Sequence, residues 1–304
     1  MTIVEQIREA CASVATGAVH VEIDPKAIAD YAAGLPLGRI TSTEQARAPM
    51  SREHESAFWL TLDAINFGSG WFPTLRKPRG HSGYRTIAEG VRERFDRGGP
   101  WSALELAEID SAQIASVLHQ DPEHELMELF ARSLNDLGRR LAAAYDGRFE
   151  GPLEQAGESA VALAELLSRW ACFADSSTYE GRPVPFLKRA QIAAADLHRA
   201  GAATFGDIHQ LTMFADNLVP HVLRLDGILH LAPDLVEAIE LRRLIEHGSP
   251  EEVEIRACSV HAVELIVEAR PGTCAAEVDQ LLWERGGTAR YKASPRHRCR
   301  CTAY

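Results

Sequence analysis

Asp216 lies in the stretch FGDIHQLTMFADNLVPHVLRLDGIL, residues 205–229, between the apolar run LTMFA and Pro220. A carboxylate in such apolar company costs free energy unless it is paired or put to use. Two uses suit it. Pro220 fits a helix start or a kink, so Asp216 could cap a helix or join a salt bridge. Alternatively it could do chemistry. Breaking an N-glycosidic bond builds positive charge on the sugar ring, and a fixed carboxylate stabilises or captures that oxocarbenium-like centre. The residues alone leave both uses open. Asp207 follows Gly206 and reads as the cap of the next short helix.

A second constellation is AFWLTLDAINFGSGWF. It sets Asp63 and Asn66 three residues apart among Phe58, Trp59, Phe67, Trp71 and Phe72. Flat apolar walls beside a carboxylate and an amide would suit a heterocyclic base; an aromatic core wedge with a capped helix end would look the same. In VEIRACSVHAVELI, Glu254, Arg256, His261 and Glu264 occupy an apolar helical register, and structural pairing with one another is the expectation. Arg296, Arg298 and Arg300 cluster near the C-terminal end, in SPRHRCRCTAY. They read as a phosphate clamp, since Arg presents two donors at once, or as a solvated tail. Lys188 and Arg189 are two further candidate cations.

The elements that must position these groups are helical nearly throughout. TIVEQIREACASVA, IDSAQIASVLHQ, HELMELFARSLNDLGRRLAAAY and ESAVALAELLSRWACF all carry the helical spacing of apolar residues, with Asp110 and Ser111 as starts for the second. FLKRAQIAAADLHRA reads as an amphipathic helix followed by a glycine turn. Two places break the rhythm: the Gly-broken stretch 58–73, and TYEGRPVPFLK, a short hairpin turning at Glu180-Gly181. The expected fold is one compact, mostly α domain over residues 1–304, with at most a short β-hairpin.

Composition narrows the function. A net charge of −11 and a pI near 5.6 argue against a broad nucleic-acid contact, which needs a basic face. No apolar stretch approaches the ~20 residues of a membrane span. MTIVEQIREACASV has acids among its first apolar residues, unlike a signal peptide, and a cytoplasmic location is expected. Six cysteines form no CxxC pair, so free thiols are expected and no metal. No dinucleotide fingerprint is present, and no cofactor is expected.

Several segments in one order carry a resemblance: LDAINFGSGWF, HSGYRTI, YEGRPVPFLKRAQI, FGDIHQLTMFADNLVP, EVEIRACSVHAVELI, DQLLWE and PRHRCRCTAY. The chain resembles the queuosine 5′-phosphate N-glycosylase/hydrolases over almost its full length. The resemblance implies a helical fold similar to the helix-hairpin-helix type of DNA glycosylase. It implies hydrolysis of queuosine 5′-monophosphate to release queuine, a 7-deazaguanine base, for salvage into tRNA modification. The family aspartate falls on Asp216, as nucleophile or oxocarbenium stabiliser, with Phe214 of the same motif among the substrate contacts. The base-recognition motif falls on Asp279, Trp283 and Glu284. Glu284 stands where the family has Asp, and Gln280 where it often has Tyr. The family's N-terminal ligand-site histidine has no counterpart in ITSTEQARA. Asp63 and Asn66 join the substrate-binding set, with Lys188 and Arg298 toward the 5′-phosphate. A DNA or RNA base-excision glycosylase of the same fold, and a non-catalytic helical interaction module, are the alternatives.

Overall fold

A computed structural model describes residues 1–36 and 51–304; ITSTEQARA lies outside the described residues. The chain divides into two compact units that interleave in sequence. One gathers the described residues of Met1–Arg47 with Asp175–Lys188 and His209–Arg300. The other gathers those of Ala48–Ala174 with Arg189–Ile208 and Cys301–Tyr304. Both are mostly helical, and no described helix is long and apolar enough to cross a membrane.

In the first unit, the expected N-terminal helix runs Ile3–Gly17. Thr2 and Glu5 close a capping box at its start, each bonding the other's backbone N–H, and Val4, Ile7, Cys11 and Val14 are buried. It packs on the 20-residue helix Pro250–Ala269. That helix is buried on nearly every side, so its sequence shows no polar stripe. The expected pairing of its charged residues with one another is corrected: Glu254, Arg256 and Glu264 each bind residues outside that set. Glu264 meets Arg8 at 3.0 Å. Glu254 accepts the backbone N–H groups of Val19, His20 and Val21 at 3.0, 2.6 and 3.1 Å, and the Tyr179 hydroxyl at 2.8 Å. These bonds anchor the entry to the strand Val21–Ile23.

The hairpin forms where it was expected. Strands Ser176–Tyr179 and Arg182–Pro185 pair antiparallel, and Glu180 and Gly181 both adopt positive φ, as a two-residue primed turn requires. A second ladder exceeds the expected β content: Val21–Ile23 pairs antiparallel with Leu229–Leu231. Three-residue strands this far apart in sequence carry too little alternation to be read from the chain.

In the second unit, the helices Ser111–Leu118, Glu125–Tyr145 and Ala160–Ser168 fall on the expected segments, the first capped by Asp110. The expected break at 58–73 is corrected in its first half, because the helix Arg52–Ala64 runs through it. Every residue from Ser56 to Ala64 is buried, so no helical period marked it. Asp207 also caps a different helix from the one expected. It accepts the Ala160 N–H at 2.6 Å and the Ser159 hydroxyl at 2.5 Å, at the start of Ala160–Ser168.

Candidate functional site

The first unit brings three of the expected residues together. Residues 211–216 run without regular structure, yet 211–215 are buried, so their backbone polar groups need partners from elsewhere. Asp279, buried to 5% exposure on the helix Ala275–Gly286, accepts the Phe214 N–H at 3.0 Å. Arg256, with no exposed surface, donates through Nε to the Ala215 carbonyl at 3.0 Å. Asp216 itself stands half-buried at the end of the segment.

Asp216 does cap a helix. Its Oδ1 accepts the N–H groups of Leu218 and Val219, at 2.7 and 3.0 Å, at the start of the helix Val219–Leu225. Pro220 starts that helix rather than kinking it. Among the described residues Oδ2 receives no hydrogen bond. The two uses of this carboxylate are therefore compatible. One oxygen is fastened by backbone donors, which fixes the plane of the group. The other is left to meet a partner from solution.

Arg256 holds the segment in place, where the sequence suggested only pairing among the charges of its own helix. Its Nη2 reaches Asp175 at 2.7 Å, its Nη1 lies 3.7 Å from Glu252, and its guanidinium stacks 3.9 Å from the Phe186 ring centroid. All three charged side chains are fully buried. Burial pushes the Glu252 carboxyl up, but the His247 hydrogen bond and the Arg256 charge outweigh it, and its pKa is held at about 2. Asp175 also accepts the Lys188 N–H through Oδ2 at 2.9 Å, so one carboxylate ties Arg256 to the start of the helix Lys188–Arg199. The signal available in sequence was the lone arginine in the apolar run VEIRACSV; Glu252 is local, but Ala215 and Asp175 lie 41 and 81 residues away in the chain.

Asp279 and Trp283 are four apart on Ala275–Gly286 and share a face. Asp279 is buried while Trp283 is 40% exposed, so this face passes from a buried carboxylate to an accessible indole. Glu284 is exposed and accepts from Gln280 at 2.8 Å. Gly286 permits this helix its close approach: a Cβ there would lie 2.7 Å from the Leu218 side chain.

The remaining expected residues have other settings. Lys188 and Arg189 are buried, not on a solvated helix face. Arg189 donates to the carbonyls of Ala64 and Cys172, which joins two segments of the second unit. Arg298 donates to the Arg242 carbonyl at 3.0 Å. Asp63 and Asn66 belong to the second unit, where the Asn66 amide donates to Asp63 at 3.2 Å. Phe58, Trp59, Phe67 and Trp71 around them are buried, and Phe58 meets Trp59 and Phe95 edge to face.

Fold and site together define a helical protein built around fixed, buried carboxylates. The comparisons with known proteins are specific. A family model described as queuosine salvage protein matches residues 47–304. A protein of Sphaerobacter thermophilus named queuosine 5′-phosphate N-glycosylase/hydrolase is 35% identical over 300 residues, 93% of each chain. Proteins of the same name from Dictyostelium discoideum and Mus musculus are 32% and 31% identical. They cover 81% and 74% of this chain, and 77% and 72% of their own. The chain belongs to the queuosine salvage protein family.

Proposed function

We propose that this protein is an N-glycosyl hydrolase that splits queuosine 5′-monophosphate into queuine and ribose 5-phosphate. The relatives' names supply the substrate and the reaction class. The observation that carries the mechanism is the divided carboxylate of Asp216, with one oxygen held by two backbone N–H groups and the other open. As the bond from C1′ to the base breaks, charge grows on the sugar, and a preorganised carboxylate meets it without reorganising. The bonding pair leaves with the base nitrogen, water adds its oxygen to C1′, and one water proton ends on that nitrogen, which gives ribose 5-phosphate and queuine, neutral at that nitrogen. A 7-deaza base has carbon where guanine has N7, so protonation there cannot assist departure. More of the rate must therefore come from Asp216.

Queuine's arm carries an amine, and Asp279 and Glu284 are the carboxylates assigned to it, with the Trp283 indole as a flat wall for the base. Phe214, whose N–H bonds Asp279, completes this set. Residues 1–304 act as one catalytic domain, and we read the helical architecture as related to that of helix-hairpin-helix DNA glycosylases. The net charge of −11 favours a small nucleotide over a duplex as substrate. Incubation with queuosine 5′-monophosphate and detection of queuine by mass spectrometry tests the proposal; absence of base release would refute it. Tight binding of duplex DNA in place of the nucleotide would favour the base-excision alternative.

A further inference from the structure

We propose that a small cavity against the helix Val219–Leu225 binds one inorganic anion, a halide by its size, between the guanidinium of Arg224 and the imidazolium of His221. The two residues are three positions apart on that helix and share a face. They line a cavity with room for a single water-sized particle, walled by Leu229, Leu231, Ile239 and Ile255 and joined by His297. The His221 ring is 3% exposed, and its Nε2 lies 2.8 Å from the Tyr291 carbonyl. A carbonyl only accepts, so Nε2 carries a hydrogen in either protonation state. Nδ1 is buried and makes no hydrogen bond among the described residues. Arg224 gives Nη2 to Glu240 at 2.8 Å, while its Nη1 is buried and makes none. A buried charged donor without an acceptor is costly. Two such nitrogens of basic side chains, on one helix face against one apolar-walled space, suit an anion and repel a cation.

The charge around His221 is positive on balance. Burial first, then the charges of Arg296 and Arg224, draws its pKa below the ordinary histidine value. The Tyr291 carbonyl and Glu240, on the helix Pro233–Glu240, pull the other way. His297 faces the same cavity and is held neutral by burial, with a pKa of about 3. The strand Leu229–Leu231 and the helix Pro250–Ala269 give the lining only Leu229, Leu231 and Ile255. A neutral His221 ring presents Nδ1 as an acceptor, which suits water. A protonated ring presents a second donor beside Arg224. An anion then supplies the counter-charge that Glu240, engaged with Nη2, does not give to Nη1 or Nδ1. Anion and proton therefore bind together.

Bromide is the probe, because anomalous scattering locates it in a crystal. Titration with sodium bromide against sodium gluconate at constant ionic strength, followed by melting temperature, reads the affinity between about pH 8 and about pH 5. One proton per anion predicts that affinity rises about tenfold for each unit by which the pH falls, until His221 is charged. His221→Gln keeps a donor for the Tyr291 carbonyl but takes up no proton, so its weaker bromide affinity should be indifferent to pH. Arg224→Gln should bind bromide about tenfold or more weakly at every pH. Crystals grown at the acid end should show bromide between His221 Nδ1 and Arg224 Nη1. A crystal with no bromide there, or a folded His221→Gln protein with the wild-type pH slope, overturns the proposal. Should His221→Gln fail to fold, the bromide position in wild-type crystals decides the question alone.

Discussion

Replacing Arg256 with Met should remove a large part of the protein's stability, and the size of the loss follows from what the guanidinium touches. Its removal leaves Asp175 and Glu252 buried with no cation between them, and orphans the Ala215 carbonyl. Deleting one partner of a buried ion pair costs about 3–5 kcal/mol, and an unsatisfied buried acceptor roughly 1–3 kcal/mol. A combined loss of about 5 kcal/mol is expected, against a typical total of about 5–15 kcal/mol. Arg256→Lys keeps the charge but cannot serve three directions at once, so it should fall between. Urea unfolding near neutral pH measures both. The pH dependence gives a second check. Glu252 has a folded pKa depressed to about 2, so its contribution is fully present above its unfolded value and is lost as pH falls toward 2. The gap between wild type and Arg256→Met should therefore narrow between roughly pH 5 and pH 3. A loss below about 1 kcal/mol, or a gap indifferent to pH, would refute this view of how the Asp216 segment is held.

Other expectations follow from neighbouring groups. Asp279→Asn should weaken queuine binding more than Glu284→Gln, because Asp279 is buried and Glu284 exposed; equal, unchanged affinities would remove both from the base site. Asp279→Asn keeps an acceptor for the Phe214 N–H, so its melting temperature should stay near the wild-type value while that of Asp279→Ala falls. Asp207→Ala should lose about 1 kcal/mol of stability as a lost cap, with little change in turnover; a folded but inactive variant would mean that the wrong aspartate carries the chemistry. Burial lowers the His297 pKa to about 3, so only the unfolded chain takes up that proton as pH falls below its usual value. Stability should drop by about 2 kcal/mol near pH 5 on this account, and His297→Gln should flatten that slope.

Much of the helical plan was legible because most helices have one wet face. The helix Ile3–Gly17 shows its buried face as apolar spacing and its start as a capping box, both written locally. The turn Glu180-Gly181 was legible for the same reason. Elements buried all round were not: Arg52–Ala64 has no polar stripe to mark it. Partners far apart in sequence were also hidden. Glu254 reads as one of several helix charges, yet it binds three N–H groups more than 230 residues away. Arg256 and Asp175 share that character. At the site, spacing could offer Asp216 as a cap or as a catalyst, but not that one oxygen caps while the other stays open. Lys188 and Arg189 read only as candidate cations, because their types are usually exposed and their burial depends on tertiary partners.

The most direct measurement is single-turnover release of queuine from queuosine 5′-monophosphate by Asp216→Asn. The asparagine carbonyl can keep the Leu218 and Val219 N–H groups, so the cap survives and the charge alone is removed. The chemical step should slow about 10²- to 10³-fold, with the melting temperature and queuine affinity close to wild type. A folded Asp216→Asn protein that released queuine at the wild-type rate would contradict the central role given to this carboxylate.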